Sequence, residues 1–222
     1  MTDSIARVNE LMTKATQYGI CWDSLAYEVC YDAVVQTKDV EGMVCEIGLR
    51  EGFGTFLMMH AALDSRQQSR KFVSVDPFGD ILYITANMAP HHSDYTNNMK
   101  KKCLKAMYNW AFDCDMYLNF LCMTNDQYFV RFADGVPFYE GEEKIISKYS
   151  VAFLDGPKSN EITAQELDFF GPRMSVGGKL VIDDIGHHWF DEPALERHAA
   201  EHNLQLDEST RNLHKWSFDK KG

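Results

Sequence analysis

Four short apolar runs in this chain carry acid at or near their ends: Met43-Val44-Cys45-Glu46-Ile47-Gly48, Lys71-Phe72-Val73-Ser74-Val75-Asp76, the run that closes on Leu154-Asp155, and Leu180-Val181-Ile182-Asp183-Asp184. Runs this short and this apolar read as buried strands rather than helices. Strands are expected near 43–48, 71–76, 117–123, 149–154 and 178–183, with helices between them near 54–65, 97–113, 126–133 and 161–170. That alternation predicts an α/β fold, a doubly wound parallel sheet. A helix over Pro193 to Glu201 and strands at 204–206 and 213–218 would add an antiparallel C-terminal edge pair and bring the sheet to seven strands. Ahead of the sheet, Ile5, Val8, Leu11 and Met12 recur at helical spacing behind Thr2-Asp3-Ser4, and a second helix is expected from Ser24 to Gln36. Residues 1–41 thus read as a helical extension covering one sheet face, with a lid or a homodimer contact as its functional alternatives. At 222 residues with no repeat or low-complexity linker, 1–222 is expected to form one domain whose core is 42–222.

In an open parallel sheet, ligands bind beyond the carboxyl ends of the strands, and every acid named above falls at or near such an end. Asp155, Asp183 and Asp184 held together would repel one another unless a cation neutralised them, and an all-oxygen set suits magnesium, manganese or calcium. Taken singly, each of these acids also makes an ordinary turn. Upstream, Gly48, Gly52 and Gly54 form a glycine-rich turn opening the next helix, a unit suited to a nucleotide-like ligand. Their spacing is not G-x-G-x-x-G, so NAD is disfavoured. Glu46 would repel a phosphate yet suit an ammonium group, and Asp76 follows the second strand where ribose hydroxyls bind.

These residues resemble a known family. The chain is similar to class I S-adenosylmethionine-dependent methyltransferases with a Rossmann-like sheet, and among them to the metal-dependent O-methyltransferases of the catechol, caffeoyl-coenzyme A and macrocin types. The motif E-x-G-x-x-x-G-x-[ST] is met by Glu46, Gly48, Gly52 and, one position late, Thr55. Asp76 matches the ribose-binding acid, while Asp155 with Lys158 matches the metal acid and its following lysine. Asp183, 28 positions beyond Asp155, matches the second metal acid at the spacing of the catechol type. Asp184 stands where that type carries Asn, as in macrocin-type relatives, and Gly156-Pro157 replaces the Gly-His those relatives carry. The resemblance implies S-adenosylmethionine bound by Glu46, Gly48, Gly52, Thr55, Asp76, Thr124, Asn125 and Asp155, with Thr124 and Asn125 at the adenine edge. It also implies magnesium or manganese on Asp155, Asp183 and Asp184, a small hydroxylated acceptor (diol, phenol or sugar), and Lys158 as the base that removes its proton.

A lysine serves as a base only if its pKa is depressed, which a neighbouring dication would favour. His187 and Trp189 are further candidates for the acceptor pocket, against the plainer reading of His187, His188 and the His91-His92 pair as solvated loop residues. Trp22, Trp110 and Phe190 are aromatic alternatives for a pocket wall or for core. A cephalosporin-hydroxylase-like oxidoreductase on the same fold and a non-catalytic cofactor-binding module are the competing readings. The first needs a 2-His-1-carboxylate set, for which no convincing spacing is found.

A formal charge of −11 opposes binding to phosphate backbones or anionic membranes, so neither nucleic acid nor membrane is an expected partner. Lys100-Lys101-Lys102 reads as a solvated helix face. The six cysteines show no C-x-x-C or zinc spacing, and no leader or membrane-length run is seen; a cytoplasmic location is the expectation.

Overall fold

A computed structural model describes residues 2–79, 82–83, 91–92, 96–186 and 190–222. Its central sheet has seven strands in the order β10-β11-β9-β8-β1-β2-β5. These are β1 Met43–Ile47, β2 Lys71–Val75, β5 Tyr117–Leu121, β8 Tyr149–Leu154, β9 Met174–Ile182, β10 Leu204–Leu206 and β11 Trp216–Lys220. All pairings are parallel except β11 with β9 and β10, so the expected doubly wound sheet with its antiparallel edge pair is what forms. β1 and β8 are buried at every position, as unbroken apolar runs require when helices cover both faces.

One face is covered by α1 Thr2–Gln17, α2 Glu28–Gln36, α3 Phe53–Asp64 and α4 Asn97–Asp113, the other by α5 Asn125–Arg131, α6 Asn160–Phe170 and α7 Glu192–Glu201. α3 has no polar face: ten of its residues are buried because α1 and α2 lie over it. Within the N-terminal extension α2 lies against the sheet, burying Cys30 and Val34, while α1 packs over α2 and α3 and buries Val8, Leu11 and Ala15. Its second helix starts at Glu28 rather than Ser24, and the residues before it run across the strand ends. β9 starts at Met174, earlier than the expected 178, so Gly177 too lies inside a strand, one whose register against β8 shifts between Tyr149 and Val151.

Two small hairpins escaped the sequence reading. β6 Val136–Glu140 pairs with β7 Glu142–Ile146, and β3 Leu82–Tyr83 pairs with β4 His91–His92. β7 is almost wholly exposed and charged, so it carries no hydrophobic run to detect. Among the described residues no helix is long and apolar enough to cross a membrane. The six cysteines are free thiols, with Cys30, Cys45 and Cys103 packed as small apolar groups.

Candidate active site

The chain reverses its order of winding between β1 and β8, and at that switch point the loops after the two strands touch. Gly48 donates to the Val75 carbonyl and Asp155 donates to the Ile47 carbonyl, at 2.9 and 2.8 Å. Gly48 has φ +91°, and a Cβ there would lie 2.2 Å from the Asp155 carbonyl oxygen, so only glycine lets the loops meet. Gly52, also left-handed, caps α3.

Glu46 is only 2% exposed. Its carboxylate accepts from the Thr55 hydroxyl, which also bonds Ser74 at 2.6 Å, and a Cβ on Gly54 would lie 2.0 Å from its Oε1. Glu46, Thr55 and Gly54 thus lock the glycine-rich turn onto the start of α3. Burial, opposed by the Thr55 hydrogen bonds, pushes Glu46 up to about 8. In the unfolded chain it titrates in the ordinary carboxyl range, so between that range and about 8 the folded state holds a proton the unfolded state has released. Stability therefore falls with rising pH across that window, by about 1.4 kcal/mol per unit from this group. Glu46→Gln should remove that slope: in urea titrations its advantage over the parent grows by roughly 2 kcal/mol between about pH 5.5 and pH 7.5. An advantage that stays flat with pH would show Glu46 to be ionised in the fold.

Asp76 is equally enclosed. The backbone N–H groups of Arg50 and Phe78 donate to its two oxygens at 2.8 Å each, and burial nevertheless raises its pKa. Thr124 is the N-cap of α5 and forms a capping box with Gln127. Asn125 reaches Glu166 Oε1 at 3.5 Å.

At the ends of β8 and β9 the structure brings Asp155, Lys158, Asp183 and Asp184 together and adds two residues that were not anticipated, His214 and Lys215. Lys215 is cross-strand from the end of β9, immediately before Trp216, which pairs with Ile182. Its ammonium is 0% exposed and donates to Asp183 Oδ1 at 2.6 Å, Ser24 Oγ at 2.7 Å and the Leu25 carbonyl at 2.8 Å, over the ring of Tyr27 at 4.2 Å. Ser24 also donates to Asp183 Oδ1 at 3.0 Å, and Asp23 pairs with Arg50. The segment before α2 therefore ties the glycine-rich loop to the acid cluster. Lys158 donates to Asp155 Oδ1 at 3.2 Å and to the Leu154 carbonyl at 3.3 Å, and Ser159 caps α6 directly behind it. The Asp155 and Asp183 carboxyls lie close enough for each to shift the other. Burial raises Asp155; it acts on Asp183 too, but Lys215 and Lys158 hold that group well below the usual carboxylate range.

One expectation changes here. Repulsion among the three carboxylates does not require a divalent ion, because Lys158 and Lys215 offset two of the charges. The protein groups around Lys158 act in the other direction from a dication: burial pulls it down, yet Asp155, Asp183, Asp184 and Glu166 raise it above its ordinary value, which favours the ammonium. What supports a metal ion is instead donor geometry. One ligand atom each from Asp183, Asp184 and His214 lie within 4.8 Å of one another, and Asp155 falls outside that group. His214 Nδ1 is 3.4 Å from Asp183 Oδ1 and 3.6 Å from Asp184 Oδ1. Asp184 has a left-handed backbone, φ +60°, in the turn that follows β9.

His214, Lys215, Ser24 and Glu166 were missed by the sequence reading. Glu166, buried on α6 and pushed up by burial to about 7, faces Lys158. A polar pair at the start of the last strand was the only signal for His214 and Lys215, and it means nothing until the register places it opposite Asp183. Trp110 is core, at 0% exposure. His187, His188 and Trp189 lie outside the described residues.

A family model described as a methyltransferase domain matches residues 45–185. Among solved structures, the calicheamicin methyltransferase CalS11 is similar over 98% of this chain and 91% of its own, with 14% identity and a TM-score of 0.63. The O-methyltransferase NovP is similar over 88% and 79%, with 18% identity and a TM-score of 0.58. The Podospora anserina methyltransferase PaMTH1, bound to SAH, covers 99% and 88% at 12% identity with a TM-score of 0.50. A search of curated protein sequences gave no match. The structural likenesses show a shared fold, and the family match runs from within β1 to just beyond Asp184. The chain accordingly belongs to the methyltransferase-domain family, as an S-adenosylmethionine-dependent methyltransferase.

Proposed function

We propose that the protein is an O-methyltransferase that moves a methyl group from S-adenosylmethionine to a hydroxyl of a small molecule such as a diol, phenol or sugar. The observation that carries this reading is the charged cluster of Lys158, Asp155, Asp183 and Asp184 at the switch point, beside the Gly48–Gly52 loop. Support for oxygen as the accepting atom comes from NovP, an O-methyltransferase, and from CalS11, described as a TDP-rhamnose 3'-O-methyltransferase.

In this reading the donor lies over Gly48 and Gly52, with its ribose toward Asp76 and its adenine toward Thr124 and Asn125. Thr55 and Glu46 hold the loop in shape rather than grip the ligand. Lys158 directs its ammonium at the acceptor oxygen and stabilises the negative charge that grows there as the proton leaves. Asp155, whose carboxylate accepts from Lys158 at 3.2 Å, takes that proton. The sulfonium methyl is already activated, so orientation of the two partners supplies most of the acceleration. Trp22 and Leu25, exposed on the segment before α2, provide an apolar flank for the acceptor.

Asp183, Asp184 and His214 would hold a divalent ion, whose chemistry there is to acidify the acceptor hydroxyl. An imidazole in the donor set favours manganese or a later transition ion over magnesium. After treatment with a chelator, transfer of labelled methyl to a panel of hydroxylated acceptors should return further with Mn2+ than with Mg2+. His214→Ala should abolish that preference. Full activity in the chelator would remove the ion from the reading and leave the methyl transfer standing.

A further inference from the structure

A second cluster of ligand atoms lies on the face away from the rim. His198 and His202, four positions apart on α7 and at its C-terminal cap, share one face of the helix, and Asp168 of α6 meets both. Each Nε2 is 2.9 Å from the same oxygen, Asp168 Oδ1. Asp168 lies eight residues along α6 from Asn160, about 12 Å down the axis from the helix end that faces the catalytic cluster. The methyl-transfer reading makes no use of these residues.

Their geometry is close to that of a bound ion. Tetrahedral bonds of about 2.0–2.1 Å place neighbouring ligand atoms about 3.3 Å apart, so the two imidazole–carboxylate separations need to open by only a few tenths of an ångström, and all three ligand atoms already lie within 4.8 Å of one another. The His202 backbone is also held in place. A Cβ on Gly171 would lie 2.6 Å from His202 Cβ, and the His202 carbonyl accepts from Lys220 Nζ at 2.5 Å. Behind His198, Glu201 places a carboxylate 3.8 Å from Nδ1, on the ring nitrogen that would not face the ion. Asp168 is 60% exposed, His198 29% and His202 20%, which leaves a side open for a water ligand.

We propose that Asp168, His198 and His202 form a binding site for a divalent transition ion of the zinc, nickel or cobalt class. The ion takes the place of the Nε2 protons that face the carboxylate, each imidazole then carrying its one proton on Nδ1, and staples α6 to α7, the helix that follows the Asp183-Asp184 turn. Two neutral imidazoles and one carboxylate are the donors such ions select, whereas magnesium and calcium prefer oxygen throughout.

Calorimetric titration of the chelator-treated full chain with Zn2+, and separately with Mg2+, tests the assignment. Asp183→Asn serves as the background in which the catalytic cluster is disabled. One equivalent of Zn2+ should still bind that variant, and the melting temperature should rise by several degrees because the ion binds only the folded state. Adding His198→Ala or His202→Ala should lower that affinity by more than the roughly 10–100-fold typical of losing an outer hydrogen-bond partner. Bound Co2+ should show the visible bands of a low-coordinate ion. If the background variant takes up no Zn2+, or binds it equally well without His198 and His202, the site does not exist. That result would leave methyl transfer untouched.

Discussion

Lys215→Met should lower the stability of the protein by about 3–5 kcal/mol, the usual consequence of stripping one partner from a buried ion pair. For a chain of this size that corresponds to a fall of roughly 10 °C in melting temperature. The Lys215 ammonium is wholly enclosed and donates to Asp183, Ser24 and Leu25, so methionine removes the charge while keeping much of the stem. Asp183, itself only 2% exposed, would then be left facing Asp155 with one cation fewer. Its carboxylate, now held well below its ordinary range, would move up, and the segment before α2 would lose its anchor on the sheet. Neutralising the partner should undo most of this: the pair Asp183→Asn and Lys215→Met should be more stable than Lys215→Met alone by at least half the loss, a coupling that independent sites do not show. Urea unfolding of the parent, both single variants and the double variant measures it. A strictly additive double variant would show that the two groups do not stabilise each other.

That pair also marks where sequence reading stopped. The sheet was legible because its parallel strands are unbroken apolar runs, and the rim was legible because those runs carry Glu46, Asp76, Asp155 and Asp183 at or near their ends. Gly48 was legible as a turn glycine, but the reason for it, contact with the Asp155 carbonyl across the switch point, depends on which strands adjoin. Charge compensation was misjudged for a similar reason. Asp155, Asp183 and Asp184 are recognisable as acids near one rim, whereas their countercharge comes from a lysine 32 positions after Asp183, placed by antiparallel register. His214 follows the same logic. The β6–β7 hairpin was invisible because its charged second strand buries little, and α2 began late because the residues before it serve the site rather than the helix.

The Lys158 series should separate two roles that its position permits. As a proton acceptor it would have to spend part of its time neutral, but its neighbours are carboxyl groups that together raise it above its ordinary value despite burial. As a fixed ammonium it needs only charge and reach. Lys158→Met should reduce kcat for methyl transfer by about 10²–10³, the range seen when one donor to a developing oxyanion is lost, with little change in the affinity for S-adenosylmethionine. Lys158→Arg keeps a positive donor that cannot deprotonate in a protein, so it should recover a measurable share of the lost rate, limited by the poorer fit of a planar guanidinium beside Asp155. A base would erase the difference, with arginine as inactive as methionine. Initial rates at saturating donor, compared among the three proteins at matched folded fraction, decide between the two, because the loss of a base and the loss of a charge agree for methionine and disagree for arginine.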